Sequence, residues 1–151
     1  MSDAAQSIFV YVTYIRSSAE QLWSALLMPE FTRQYWYGME MVCDWKAGAA
    51  WQLRFADGRV GDTGEVLEID PPRRLVLRWQ NEFRPELKAE GPAKCTFELE
   101  PHGGIVKLTI THSSPRQDSQ LIAAVAGGWP KILSNLKSLL ETGQPLTSER
   151  L

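Results

Sequence analysis

Two spacings of apolar residues divide this chain. In residues 8–16 and again from residue 39 to residue 113 hydrophobic side chains recur mostly at every second position, the period of strands with one buried face. From Asp118 onward they recur at three- and four-residue steps, the period of a helix. The hairpin GEVLEIDPPRRLVLRW, Gly64 to Trp79, shows the first spacing most plainly. Val66, Leu67 and Ile69 are strand formers, and Asp70-Pro71-Pro72 ends their strand because proline fixes φ and withdraws ladder donors. Leu75, Leu77 and Trp79 then alternate with Val76, Arg78 and Gln80.

The same reading predicts strands at 8–16, 39–46, 50–56, 60–69, 74–82, 93–100 and 105–113. Turns at Lys46-Ala47-Gly48, Asp57-Gly58, Asp70-Pro71-Pro72 and His102-Gly103-Gly104 separate most of them. Ser17-Ser18-Ala19-Glu20 is a capping sequence that opens a helix with Leu22, Trp23, Ala25, Leu26 and Leu27 on its buried face. Pro29 starts a second short helix carrying Phe31, Tyr35 and Trp36. Asn81 to Pro92 reads as a long solvated connection. The last helix places Ile122, Val125, Trp129, Ile132, Leu133, Leu136 and Leu140 on one stripe, with residues 142–151 as a frayed polar tail. Pro130 should kink or split that helix, and a kink there would widen the mouth of any cavity beneath it.

One α+β domain over residues 1–151 is expected, with an ordered core over about 7–142. Its predicted form is the helix-grip fold: a curved antiparallel sheet of about six to seven strands wrapped around a long C-terminal helix, with two short helices after the first strand. The architecture leaves room for an apolar cavity between sheet and helix.

Composition narrows what the cavity serves. With 16 basic and 18 acidic residues the net charge is −2, and no basic run exceeds Arg73-Arg74, so no nucleic-acid partner is expected. No apolar run approaches the roughly 20 residues of a membrane span. MSDAAQSIFVYV lacks the basic start of a secretory leader. Cys43 and Cys95 have no CxxC spacing and read as reduced, packed thiols, consistent with a cytoplasmic protein.

Strand parity supplies the candidate site. Trp51, Leu53 and Phe55 share a face, as do Leu75, Leu77 and Trp79, then Cys95, Phe97 and Leu99, then Val106, Leu108, Ile110 and His112. The expected ligand-binding set is Trp51, Leu53, Phe55, Leu77, Trp79, Phe97 and His112 from the sheet, with Val125, Trp129 and Leu133 from the helix. Simple core packing is the competing role for these side chains. His112 should point inward, as a hydrogen-bonded structural residue or as a catalytic one. His102 lies in a glycine turn and should be exposed. Two histidines without paired spacing give no metal site, and no nucleophile elbow or phosphate loop is present, so no catalytic residue and no cofactor is assigned. Asp57, Asp62, Glu65 and Glu68 read as a solvated carboxylate face.

Several segments together resemble the START-like (SRPBCC, Bet v-like) superfamily, and within it the family named after the C-terminal domain of the heat-shock-protein-90 ATPase activator. They are Ser18 to Leu26, Pro29-Glu30 with Tyr35-Trp36, Trp51 to Phe55 with Asp57-Gly58, Gly64 to Trp79, Thr109 to His112, and Gly128-Trp129 with Leu133, Leu136, Leu139, Leu140 and Glu141. The resemblance implies the helix-grip fold and three candidate functions: binding of a small apolar or aromatic ligand, a co-chaperone-like interaction module, or a cavity enzyme such as a cyclase or hydrolase. Ligand binding asks least of the residues present, because no acid, base and nucleophile set is recognisable. A chaperone partner and homo-oligomerisation stay open at this level.

Overall fold

The computed structural model describes residues 6–150. The elements run β1 (Ser7–Arg16), α1 (Ala19–Leu27), α2 (Pro29–Tyr35), β2 (Glu40–Cys43), β3 (Ala50–Arg54), β4 (Val60–Asp70), β5 (Arg74–Asn81), α3 (Pro85–Lys88), β6 (Ala93–His102), β7 (Ile105–Ser114) and α4 (Gln120–Thr142). Seven antiparallel strands form one sheet in the order β1-β7-β6-β5-β4-β3-β2. This is the expected α+β arrangement. The Ser18 side chain caps α1 by accepting from the Gln21 amide at 3.1 Å, and Pro29 opens α2.

The core lies between the inner sheet face and the helices. Ile15, Leu77, Cys95, Leu108 and Ile110 supply its floor, and Leu22, Trp129, Leu133 and Leu136 close it from the helix side. α4 packs against β1 and β7 at one edge of the sheet. Two irregularities shape the other half. The register slips between Leu53 and Arg54 against β4, leaving Gly61 as the extra residue, and again between Val66 and Glu68 against β5.

Gly64 is fixed by close approach. It lies opposite Trp51 on one side and Trp79 on the other. A Cβ there would lie 1.7 Å from the Arg78 carbonyl oxygen and 2.6 Å from Trp51 Nε1. Only glycine lets the Trp51 indole cross β4 and donate to that carbonyl at 3.1 Å.

Three expectations need correction. α4 is continuous from Gln120 to Thr142 despite Pro130, so the helix does not split. Proline removes one amide donor, while Trp129, Ile132 and Leu133 around it stay buried in one core on both sides of it. The Asn81–Pro92 connection is not merely solvated: it contains α3, whose Leu87 is buried against Ala93 and Leu121. Glu90 also accepts from Ser119 Oγ at 2.6 Å and from the Gln120 amide at 2.7 Å, tying the connection to the start of α4. The tail after α4 is not frayed through residue 150. Asn135, itself buried, donates to the Thr147 carbonyl at 3.1 Å and accepts from its amide at 3.2 Å. A buried amide needs such partners, and the returning tail supplies them.

Candidate ligand cavity

A cavity of about 200 Å³ lies between the β3–β5 half of the sheet, α3 and α4. Its mouth is marked by Phe83 and Ala124, both exposed. Of the expected site residues, Leu53, Phe55, Trp79, Val125 and Trp129 line it. Trp51, Leu77, Phe97, His112 and Leu133 do not; all five are buried in the core behind it. Parity turns them to the correct face, but parity says nothing of where α4 leaves the sheet. Packing of α4 on β1 and β7 leaves no space over that edge. On the other half Trp51 is covered by the Trp79 ring at 4.6 Å, and Leu77 lies within the same core.

Trp36, Trp79 and Trp129 form the inner wall, and Trp51 backs it. Trp79 from β5 contacts Trp51 from β3 at a centroid distance of 4.6 Å and Trp36, just after α2, at 6.3 Å. Trp129 from α4 meets Trp36 edge-on at 5.3 Å, Trp79 at 5.9 Å and Phe97 at 5.8 Å. Three of the indole N–H groups are committed. Trp51 donates to the Arg78 carbonyl, Trp79 to Asp62 Oδ1 at 3.1 Å, and Trp129 to His112 Nδ1 at 3.1 Å.

His112 lies inward, fully buried on β7. Because Nδ1 accepts from Trp129, the ring proton belongs on Nε2, which has no hydrogen-bond partner among the described residues. Burial pushes the imidazole pKa down to about 3, so the ring is neutral at ordinary pH. Its geometry is that of a residue that orients Trp129.

Asp62 overturns the solvated-face expectation. It is 8% exposed and lines the cavity. It shares parity with Gly64 and Val66, and that period-two relation is the signal the sequence carries for it. Desolvation pushes its pKa up to about 7, partly offset by the hydrogen bond from Trp79. Asn81 adds a second donor to Oδ1 at 3.4 Å. The Asn81 carbonyl oxygen of the side chain also accepts from the amides of Phe83 at 3.2 Å and Arg84 at 2.9 Å, shaping the loop at the cavity mouth.

Other lining residues escape a reading of periodicity because folding brings them together. Trp36 and Met39 come from the α2–β2 corner, Leu87 from α3, and Arg150 from the tail. The Arg150 guanidinium lies over the Tyr37 ring at 4.9 Å. Among the described residues no three His, Cys, Asp or Glu side chains are grouped as a metal site, and no helix is long and apolar enough to cross a membrane.

The fold is shared with solved proteins of low sequence identity. MLL2253 from Mesorhizobium loti is 24% identical with a TM-score of 0.76, covering 89% of this chain and 97% of its own. PFC0360w, an HSP90 activator from Plasmodium falciparum, is 21% identical with a TM-score of 0.72, covering 88% and 95%. The Aha1 dimer from Colwellia psychrerythraea gives 20%, 0.73, and coverage of 91% and 98%. None of the curated proteins matches this chain. The sequence profile described as activator of Hsp90 ATPase homolog 1-like protein matches residues 16–141, so the chain belongs to that family.

Proposed function

We propose that this protein binds a small apolar or aromatic molecule in the cavity between β3–β5, α3 and α4. The observation that carries this reading is the preorganised wall. Trp79 and Trp129 border the space with their N–H groups already bonded, so little ordering is required when a ligand enters. About 200 Å³ suits a ligand no larger than a bicyclic aromatic. The test is titration with 2-methylnaphthalene, read by quenching of tryptophan emission, in the native protein and in Gly128→Phe. Gly128 lines the cavity, and a Cβ at that position would meet nothing closer than Ile132 Cδ1 at 4.0 Å, so a phenyl ring can fill the space. Saturable quenching in the native protein that disappears in the variant supports the reading. Equal response in both proteins sinks it.

A second reading, a chaperone-interaction module, is supported by the family and by one surface. β1 is an edge strand whose outward positions Ile8, Val10, Val12 and Tyr14 are 54%, 53%, 42% and 52% exposed. Calorimetry against purified heat-shock-protein-90 distinguishes it. Heat that vanishes in Val10→Lys but persists in Gly128→Phe would favour the surface over the cavity.

A further inference from the structure

We propose that the molecule held in this cavity is a neutral aromatic compound bearing a hydroxyl or ring N–H group, which donates a hydrogen bond to Oδ2 of Asp62. This rests on the cavity being a ligand site.

Asp62 follows the extra residue Gly61 on β4 and is 8% exposed; it borders the cavity. Both protein donors, Trp79 Nε1 at 3.1 Å and Asn81 Nδ2 at 3.4 Å, converge on Oδ1. Among the described residues none donates to Oδ2, yet that oxygen is not sealed away from all accessible space. A carboxyl group in a mostly apolar cavity, with one oxygen unmatched, is poorly solvated; a donor carried by the ligand corrects this.

Charge selects the class. Arg84 and Arg150 border the same cavity, so an ammonium ligand would meet two guanidinium groups. Glu82, the acid that follows Asn81, is engaged by Thr63 Oγ1 at 2.6 Å and Lys88 Nζ at 2.9 Å. An acidic ligand would set like charge against Asp62 once that group ionises. A neutral donor avoids both penalties, and the indole walls favour an aromatic frame.

The experiment is calorimetry at pH 8 with two probes of matched shape, 2-naphthol and 2-methylnaphthalene, on the native protein. Asp62→Leu, which removes the acceptor, serves as a second protein. The expected result is 2-naphthol binding about ten-fold more tightly than 2-methylnaphthalene. In Asp62→Leu the two affinities should converge. Equal affinities in the native protein overturn this inference and leave the cavity reading standing. Failure of both probes to bind at about 1 mM overturns the cavity reading and the inference with it. Tighter binding of 2-naphthylmethylamine than of 2-naphthol overturns the neutral class.

Discussion

Trp129 and Trp79 face each other at 5.9 Å, and each donates its indole N–H at 3.1 Å. Their acceptors differ in kind and surroundings. His112 is sealed on β7, where α4 lies against the sheet, and burial keeps it neutral. Asp62 lies on β4, where the cavity separates sheet from helix, and it keeps one oxygen free. Both pairs satisfy a buried indole, as buried polar groups require. Only the second leaves an atom that a third molecule can reach. Position under the helix thus separates a scaffold pair from a site pair built from the same side chain.

The largest effect should come from Gly64→Ala. The added methyl collides with the Arg78 carbonyl backbone and displaces the Trp51 indole that backs Trp79. A loss of about 4 kcal/mol or outright unfolding in urea is expected. A change within about 0.5 kcal/mol would mean that the wall behind Asp62 is not held by this close approach.

Trp129→Ala strikes the sealed pair. Trp129 is 2% exposed and contacts Trp36, Phe97 and His112. The expected cost is about 3–5 kcal/mol, with the cavity enlarged and probe affinity altered. A mild cost with unchanged binding would remove Trp129 from both roles.

The two acceptors oppose each other in pH dependence. The folded-state pKa of Asp62 is raised from 3.8 to about 7, so its contribution is fully present below about pH 4 and is lost as pH rises towards 7. That of His112 is lowered from 6.5 to about 3, so its contribution is present above 6.5 and is lost as pH falls towards 3. Between about pH 4 and 6.5 the slopes cancel, and native stability should be nearly flat. Asp62→Asn should uncover the histidine slope, a rise of about 1.4 kcal/mol per pH unit across that window. Urea midpoints at stepped pH measure it, and a flat Asp62→Asn profile would contradict the sealed, neutral His112.

Gly128→Phe should change stability least, by less than about 0.5 kcal/mol, because the exposed side of the cavity accepts the ring and glycine is a poor helix former. Probe binding should nevertheless disappear. Thermal melts and quenching titrations separate the two readouts.

These contrasts also show what a sequence carries. Alternation of Leu75, Leu77 and Trp79 and of Val106, Leu108, Ile110 and His112 is enough to place those residues inside, and the stripe from Ile122 to Leu140 places the last helix over them. Period two cannot say which inward residues touch the helix and which face a gap; for that reason it groups His112 and Phe97 with Trp79. Asp62 is legible through its parity with Val66, but its charge suggests solvent, and the compensating donors Trp79 and Asn81 come from another strand. Trp36 and Arg150 come from segments distant in the chain and carry no periodic signal for the cavity.

The most direct measurement is a nitrogen-15 NMR titration of the tryptophan indole N–H signals with 2-naphthol. The Trp79 signal, bonded to Asp62, should shift saturably in the native protein and stay fixed in Gly128→Phe. The Trp51 signal, bonded to the Arg78 carbonyl behind the wall, should stay fixed in both. No saturable shift at Trp79, or an equal shift at Trp51, would contradict the assignment of the Asp62 side as the accessible site.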